Sequence, residues 1–314
     1  MENQPISKNN LLLVDWLTFT TKIWSESDLI SMLQLSSDIS WEDLDVYRYG
    51  YKHRKTLGGM SILTEGQECM GVCIEFSGQG CRSFESYSCL DWFSLFSILL
   101  DPYNEIKITR LDLAFDDHTG ILDLGQLLED TDEHRYRSRS HWWKVEYGST
   151  GTSIYHGSPQ SKIRIRIYDK AAERGLLDGT HWVRVEVMLR DENAQGAMQA
   201  CLDHLDIGAA YSGILSNYLV YCEPSADSNR SRWPVADYWS KLLQGAVSIH
   251  IAARPGTEYN IFRLQHYLKD QAGGAIYTWK QLYGLDSLDT LIKERSSKLN
   301  PKHKLLLSQA GKDK

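Results

Sequence analysis

The sequence predicts an α+β fold, in which a largely antiparallel sheet with flanking helices is followed by a smaller, mainly helical C-terminal region. The first observation is that runs rich in β-branched and aromatic residues occur both singly before helices and as adjacent hairpins. The second is residues 152–170, two alternating runs around a Gly-Ser-Pro turn, which favours an antiparallel pair. The third is a linker-like stretch at 226–234 that contains Ser, Asn, Arg and Pro. We therefore predict a main domain at 1–225 and a helical region at 226–314.

The individual elements follow from local composition. Residues 11–20 have the β-branched and aromatic content of a strand, and 25–35 form a predicted helix with Asp28 near its start. Residues 77–82 contain two glycines and predict a turn, although glycine amides could also approach a phosphate there. The other predicted strands are 60–64, 70–76, 105–115, two or three within 145–170, and 182–189, and the other predicted helices are an apolar one that ends at Leu100, 122–129 and 192–205.

Composition indicates an ordinary globular protein, because 42% of the 314 residues are hydrophobic and can bury a sizeable core. No apolar run reaches membrane-spanning length and the N-terminus has no signal-peptide pattern, so we expect a cytoplasmic location. The formal net charge of −7 argues against a protein that coats nucleic acid indiscriminately. The six cysteines include no CxxC pair, which predicts reduced and mostly buried thiols.

Tyr168 lies in a strand where apolar and polar residues alternate. A period of two places three isoleucines on one face and the tyrosine with three cations on the other. These two sets are Ile163, Ile165 and Ile167, and Arg164, Arg166, Tyr168 and Lys170. Nearby cations favour phenolate over phenol and bind a phosphodiester, which are the two needs of a tyrosine that attacks DNA. The alternative is an amphipathic strand whose polar face is only solvated.

Two further strands carry acidic residues on one face. In residues 110–116 this face holds Arg110, Asp112, Ala114 and Asp116, and in residues 184–188 it holds Arg184, Glu186 and Met188. A charge in an apolar strand is costly to bury unless it is paired or bound to a metal. Two explanations stay open: the arginines neutralise the carboxylates in structural ion pairs, or the carboxylates hold Mg²⁺ or Mn²⁺ beside a phosphate.

A third segment mixes cations and aromatic rings. It contains Arg135, Tyr136, Arg137, Arg139, His141, Trp142, Trp143 and Lys144. Such residues can pair with phosphates and stack on exposed bases, although a polar loop followed by a strand with buried tryptophans is an equal alternative. The sequence contains no nucleotide-binding GxGxxG or GxxxxGK[ST] motif, no GxSxG motif and no EF-hand pattern. It also contains no HxH or HExxH motif, which disfavours histidine-based metal chemistry. His156 and His181 are expected to be structural or surface residues.

Five segments together resemble the replication initiation factor family. They are VDWLTFT (14–20), IEFSGQGCR (74–82), ITRLDLAFDD (108–117), SIYHGSPQSKIRIRIYDKAAE (153–173) and WVRVEVMLR (182–190), in the expected order over roughly residues 10–220. The family includes rolling-circle plasmid initiators, relaxases of integrative conjugative elements and replication proteins of some filamentous phages. The combination is far more specific than any one motif.

The resemblance implies a nicking domain in which a tyrosine cuts one DNA strand at an origin, stays on the 5′ phosphate and can rejoin the strand. Tyr168 best matches that tyrosine, with Tyr155 as the fallback. The resemblance further implies a divalent cation, Mg²⁺ or Mn²⁺, on Asp112 and Glu186, with Asp116 as a less certain third ligand. Arg166 and Lys170 are expected to position or neutralise phosphate, and the expected DNA-binding residues are Arg164, Arg135, Arg137, Trp142 and Trp143.

The expected partners are single-stranded or locally melted origin DNA and a host helicase, and a homodimer stays open. Residues 226–314 match the family less clearly, so a role of this region in recognising the origin also stays open. Two alternatives remain: a metal nuclease that uses water while Tyr168 only binds DNA, and a noncatalytic replication accessory protein. A covalent protein–DNA adduct would separate the first alternative from the tyrosine mechanism, and nicking would exclude the second.

Overall fold

The structure is a computed structural model that describes residues 9–36, 39–45, 47–176, 179–248, 268 and 272–295. It divides into two compact units, residues 1–252 and 253–314. The sequence-predicted boundary between residues 225 and 226 therefore falls inside the first unit. None of the helices in the described ranges combines the length and apolar composition that a membrane span requires.

The first unit is built on a ten-stranded sheet in the order β2-β3-β4-β5-β1-β6-β11-β10-β9-β8, with a separate pair β12-β7. The strands are β1 Leu11–Thr21, β2 Glu42–Leu44, β3 His53–Leu57, β4 Met60–Thr64, β5 Val72–Phe76, β6 Ile106–Asp117, β7 Tyr136–Ser138, β8 Trp143–Gly148, β9 Gly151–His156, β10 Ile163–Asp169, β11 Val183–Arg190 and β12 Leu219–Tyr221. Every strand pair is antiparallel. The predicted fold class is thereby confirmed, and the three strands with charged motifs, β6, β11 and β10, are neighbours.

The helices of the first unit are α1 Glu26–Met32, α2 Gly78–Tyr87, α3 Trp92–Leu99, α4 Leu124–Asp132, α5 Lys170–Glu173, α6 Glu192–His204, α7 Ile207–Tyr218 and α8 Asp237–Ser248. Two short 3-10 helices lie at Pro102–Asn104 and Arg230–Arg232. Ser25 and Asp28 form a capping box at the start of α1, which fits the predicted helix start. The second unit contains α9, Gly273–Arg295, which is interrupted at Gly284, where φ is 81°.

Residues 78–82 form the first part of α2, so the prediction of a turn at 77–82 was wrong. Ser77 caps α2, its hydroxyl accepting the N–H of Gly80. Glycine is required at positions 59 and 80, because α2 approaches the β3–β4 turn closely there. A Cβ on Gly59 would lie 2.7 Å from the Gly80 nitrogen. Tertiary contact thus overrides the low helix propensity of glycine. The apolar helix predicted to end at Leu100 is found as α3, with Leu100 as its C-cap.

One face of the sheet carries the hydrophobic core. The core joins apolar strand residues to buried side chains of the surrounding helices, among them Leu29, Phe84, Phe96, Leu127, Met198, Tyr211 and Trp239. Tyr211 donates its hydroxyl to the carbonyl of Val185, which fastens α7 to β11. The helices therefore stabilise the strands from this apolar side. The alternating charged residues Arg110, Asp112, Asp116, Arg164, Arg166, Arg184 and Glu186 are directed to the opposite face.

His156 lies on the buried side of the sheet, where it belongs to a small network of polar side chains. It is 2% exposed, its Nε2 lies 3.1 Å from the Tyr221 hydroxyl, and its Nδ1 has no hydrogen-bond partner. Burial lowers the pKa of His156 to about 3 from its ordinary value of 6.5. Because the folded state binds this proton less well than the unfolded state, the contribution of His156 to stability is complete above pH 6.5 and is lost as the pH falls toward 3.

We expect His156→Gln to weaken the loss of stability in mild acid. Between neutral pH and pH 5, the wild type should lose about 2 kcal/mol of unfolding free energy through His156, since each of roughly 1.5 pH units is worth about 1.4 kcal/mol. Urea unfolding at pH 7.5 and pH 5 measures this difference, which should be about 2 kcal/mol smaller in His156→Gln. His141→Gln, at an exposed position, is the control and should behave as wild type. An unchanged difference in His156→Gln would contradict the prediction.

Candidate active site

The polar face gathers the predicted residues into rows across β6, β11, β10 and β9. One row holds Ala114, Glu186, Arg166 and Tyr155, and the next holds Asp116, Arg184, Tyr168 and Ser153. Asp112 stands opposite Met188, one step along from Glu186. The period-two assignment of faces agrees with this register. Residues more than 50 positions apart in sequence are therefore neighbours on this face.

Asp112 and Glu186 form a pair of buried carboxyls. Their side chains share a hydrogen bond, and the Arg110 guanidinium binds Asp112 through Nε at 2.9 Å and Nη2 at 2.5 Å. Burial raises the pKa of Asp112 and the charge of Glu186 raises it further, while Arg110 opposes both. Burial also raises the pKa of Glu186, and the charge of Asp15 adds to this. Two adjacent buried carboxylates repel each other, so binding of a proton or a metal ion between them is favoured.

Asp116, unlike Asp112 and Glu186, forms an ion pair with Arg184 through two hydrogen bonds. The Arg184 Nε and Nη2 atoms lie 2.6 and 2.8 Å from its two carboxylate oxygens, and Nη1 lies 2.7 Å from Asp15 Oδ2. Asp15 sits at a register shift of β1 between Val14 and Trp16, and such a bulge re-aims a side chain. Sequence reasoning did not single out Asp15; its one signal was an acidic residue within an apolar strand.

The residues present fit a divalent cation held by two carboxylates. Among the described residues, no group of three or more His, Cys, Asp or Glu side chains is arranged to hold a metal ion. Mg²⁺, however, is commonly bound through one or two carboxylates, with water and substrate phosphate oxygens completing its shell. Asp112 and Glu186 supply such oxygens, and Glu186 forms no ion pair with any described residue. The pairing of Asp116 with Arg184 matches the structural alternative instead.

Tyr168 lies on this face beneath Arg166. The guanidinium carbon of Arg166 is 3.7 Å from the centroid of the tyrosine ring, and the Lys170 Nζ is 5.4 Å from it. The residue is 2% exposed. Burial raises the pKa of Tyr168 above its ordinary value, the charge of Arg184 opposes this, and the charge of Glu186 reinforces it. The cations thus fail to favour phenolate as the sequence suggested, because burial has the larger effect.

Arg166 and Lys170 share one carboxylate, that of Glu173. Arg166 Nη1 is 3.5 Å from Glu173 Oε1, and Lys170 donates to the other oxygen of Glu173. Arg166 also donates to the Ser153 hydroxyl at 3.1 Å, while its buried Nε has no partner. Burial lowers the pKa of Lys170, and the charge of Arg184 lowers it further. An anion therefore already occupies the position between the two predicted phosphate-binding cations. Sequence reasoning gave Glu173 no role.

Arg164 and Tyr155 form a second stacked pair beside Arg166. The Arg164 guanidinium carbon is 4.0 Å from the Tyr155 ring centroid, and its buried Nε has no partner. Within the described part of the chain, Arg164 forms no ion pair. Burial lowers the pKa of Arg164. Its guanidinium is thus available to an incoming anion on the same face as Tyr168.

The other predicted DNA-binding residues are not brought to Tyr168. Arg135 forms ion pairs with Glu129 and Asp130, both at 2.6 Å. Trp143 stands opposite His156 in the β8–β9 pair, while Lys144 stands opposite Tyr155. Because neighbouring side chains of a strand point to opposite faces, Trp143 points away from the face of Tyr155 and Tyr168. Trp142, which precedes β8, is 37% exposed, and Arg137 lies in β7, outside the large sheet.

The remaining predicted histidine has a structural partner. His181 Nε2 lies 3.0 Å from Asp117 Oδ2, at the end of β6. Asp117 also accepts hydrogen bonds from the backbone N–H groups of Thr119, Gly120 and Leu122. These contacts stabilise the turn after β6. His181 therefore contacts the end of this strand, and no hydrogen bond links it to Tyr168.

Comparison with known families decides the relationship of this chain to other proteins. The family described as "Replication initiation factor" matches residues 106–293, which is more than half of the chain. The chain belongs to this replication initiation factor family. A second family description, "Rolling Circle replication initiation protein N-terminal domain", matches residues 11–98. The two matches together include β1, with Asp15, and the strands that carry Asp112, Tyr168 and Glu186.

Two relatives of this replication initiation factor cover most of its length. "Putative DNA relaxase NicK" of Bacillus subtilis (strain 168) is 26% identical over 278 residues, 82% of this chain and 78% of that protein. A solved structure, a rolling circle replication initiator protein from Geobacillus stearothermophilus, is 28% identical, with a TM-score of 0.71 over 78% of this chain and 99% of that one. The family expected from the sequence is confirmed, and so is the interpretation as a rolling-circle initiator or relaxase.

Proposed function

We propose that this replication initiation factor nicks one strand of origin DNA through Tyr168, remains attached to the 5′ phosphate, and can rejoin the strand. The observation that carries the proposal is the position of Tyr168: its ring lies against Arg166, near Lys170, on the same sheet face as the buried carboxyls Asp112 and Glu186. A nucleophile, phosphate-binding cations and acidic groups are the parts that such a transfer needs.

In the forward step, the Tyr168 oxygen forms a bond to phosphorus while the bond from phosphorus to the 3′ oxygen breaks. The 3′ oxygen leaves with a proton as a hydroxyl, and the reverse attack by that hydroxyl rejoins the strand. Because the pKa of Tyr168 is raised, its proton must be removed as the new bond forms. Glu186, Glu173 and Asp15 are close enough for their charges to act on this phenol. A carboxylate of this group is the proposed acceptor of the Tyr168 proton.

The DNA phosphate is proposed to replace Glu173 between Arg166 and Lys170. Both cations contact the Glu173 carboxylate, so a phosphate in its place would keep them paired. Charge develops on the phosphate oxygens during the transfer, and the two cations stabilise it once they are paired with the phosphate. The Arg166 guanidinium lies over the Tyr168 ring, so entry of the phosphate requires Arg166 to turn from the ring toward the incoming strand.

Asp112 and Glu186 are the residues that would hold Mg²⁺ or Mn²⁺. When bound, such an ion supplies charge stabilisation of the phosphate oxygens. Arg110 orients Asp112 through its Nε and Nη2 atoms, and Glu186 lies on β11, between the strands that carry Asp112 and Arg166. Asp116 is excluded from this proposed pair because both of its oxygens bind Arg184.

The substrate is proposed to be single-stranded or locally melted origin DNA, because the arginines and tyrosine rings of this face can contact the phosphates and exposed bases of an unpaired strand. Arg164, stacked on Tyr155, would bind a neighbouring phosphate and leave the tyrosine ring beside a base. A host helicase would extend the melted region after nicking, and this reaction suits the cytoplasmic location expected from the sequence. The association state of the initiator, monomer or homodimer, does not enter this chemistry.

A random-sequence single-stranded DNA library tests the proposal without knowledge of the origin. The full chain is incubated with a labelled 40-mer library and Mg²⁺ or Mn²⁺, and products are separated on a denaturing gel. We expect a protein–DNA adduct whose tryptic peptide, by mass spectrometry, carries a nucleotide on Tyr168. Cleavage without any adduct would establish a water-using nuclease instead, and binding without cleavage would establish an accessory protein.

A further inference from the structure

A groove with two adjoining cavities flanks β7, on the side of the sheet away from Tyr168. The cavities measure about 400 and 280 Å³ and share Arg137 and Ser138 in their walls. We call them together the β7 groove. Its side chains include Arg137, Arg139, Arg230, Tyr136, Trp143 and Tyr218. None of the residues in its walls is acidic. Volumes of this size suit a small organic group such as a nucleotide.

The arginines of the β7 groove differ from their neighbours in how they are paired. Arg137 Nη1 donates to the Ser231 carbonyl, and Arg230 Nη1 donates to the His134 carbonyl. The Arg139 guanidinium binds the carbonyl and the side-chain oxygen of Asn217. In the described part of the chain, none of these three arginines contacts a carboxylate.

Two arginines close by in sequence provide the contrast. Arg135 is ion-paired with Glu129 and Asp130, and Arg232 with Asp227, and neither lies in the walls of the groove. Acidic partners are thus present in the neighbourhood but are bound by arginines outside the groove. The cations that face the groove keep their positive charge uncompensated, which favours an anionic occupant.

Aromatic rings form the other part of the wall. The His134 ring lies 5.4 Å from Trp143, edge to face, and 6.0 Å from Tyr136, stacked. Tyr136 is in turn held by the buried His156 at 4.6 Å. In the adjoining cavity, Tyr218 lies 5.4 Å from the Arg139 guanidinium. Rings fixed beside arginines are the arrangement that stacks bases and binds the phosphates between them.

We infer that the β7 groove binds nucleotides of single-stranded DNA, with phosphate at Arg137 and bases in the cavities on either side. This inference rests on the proposed function, since it assigns the groove to the same DNA. Trp143 and Tyr155 project from opposite faces of the β8–β9 hairpin. The groove therefore holds a segment of the strand other than the one at Tyr168. It anchors the unpaired DNA while the cut phosphate is transferred.

Binding of a fluorescein-labelled dT20 oligonucleotide to the full chain, followed by anisotropy, tests the inference. The double variant Arg137→Gln with Trp143→Leu should bind dT20 at least about tenfold more weakly, because a base stack is worth roughly 1–3 kcal/mol. Arg232→Gln makes the same change of net charge outside the groove and should stay within about twofold of wild type. Arg137→Gln alone, whose fold is checked by thermal melting, should weaken binding in the same direction.

A 20-mer of abasic deoxyribose phosphates separates base binding from phosphate binding. We expect wild type to prefer dT20 over this abasic strand and the double variant to lose most of that preference. Equal losses for both strands, or wild-type affinity of the double variant for dT20, would overturn the inference. Displacement of dT20 by micromolar free dTMP would make this a site for a free nucleotide and would also overturn it. Binding needs no strand cleavage, so these outcomes are independent of whether Tyr168 forms an adduct.

Discussion

Tyr168→Phe is expected to abolish the covalent protein–DNA adduct and to lower the nicking rate by at least about 10⁴-fold, since loss of a covalent nucleophile has effects of this size. The substitution removes one oxygen and keeps the ring on which the Arg166 guanidinium lies at 3.7 Å. Among the described residues the Tyr168 hydroxyl has no hydrogen-bond partner, so its removal costs the folded state no hydrogen bond. Thermal stability should therefore equal or exceed that of wild type, which separates lost chemistry from lost structure.

Tyr155→Phe is the matched control for this prediction. Tyr155 lies on the same face, stacks under Arg164, and stands opposite Arg166 in the neighbouring strand. It should keep the adduct and most of the nicking rate. Rates are measured with the library sequence that gives the adduct, on denaturing gels. If Tyr155→Phe lost the adduct and Tyr168→Phe retained it, the nucleophile would be the fallback tyrosine.

The faces of the charged strands could be predicted from the sequence because they depend only on a period of two. Alternation alone put Asp112 and Asp116 on one side of β6 and Tyr168 on the cationic side of β10. The order of strands could not be predicted, since β11 follows β10 along the chain yet lies between β10 and β6 in the sheet. Only this order brings Glu186 between Asp112 and Arg166.

Features that depend on packing could not be predicted from the sequence either. Asp15 faces Arg184 because of a bulge in β1, and no local pattern marks where a register shift falls. The raised pKa of Tyr168 results from burial, which sequence spacing does not report. For the segment 135–144 the sequence left a surface that binds nucleic acid and a polar loop as equal alternatives. In the structure, Arg135 is bound by two carboxylates and Trp143 points to the far side of the sheet. Composition identified its residue types but not their partners.

Glu186→Gln is expected to lower nicking in Mg²⁺ or Mn²⁺ by about 10³-fold while it stabilises the metal-free fold. The amide keeps the volume of the side chain and removes its charge. The pKa of Glu186 is raised in the folded state, so its contribution to stability is present below about 4.5 and is lost as the pH rises through the folded value. The two adjacent buried carboxyls of the metal-free wild type therefore oppose folding increasingly as the pH rises, and the variant retains only one of them. Thermal unfolding at pH 8 in EDTA should therefore give a higher Tm for the variant.

Divalent ions should reverse this order of stability. An ion that binds only the folded wild type raises its Tm with concentration, whereas Glu186→Gln, with one carboxylate left at the site, should respond little. Glu75→Gln is the matched control, because Glu75 is a buried acid of β5 that pairs with Arg48, and it should keep both nicking and the response to ions. If Glu186→Gln nicked normally and its Tm rose with Mg²⁺ as in wild type, Glu186 would be a structural acid and the ion would bind elsewhere. A loss of nicking with an unchanged response to ions would instead assign Glu186 to the transfer of the Tyr168 proton, since its charge acts on that phenol.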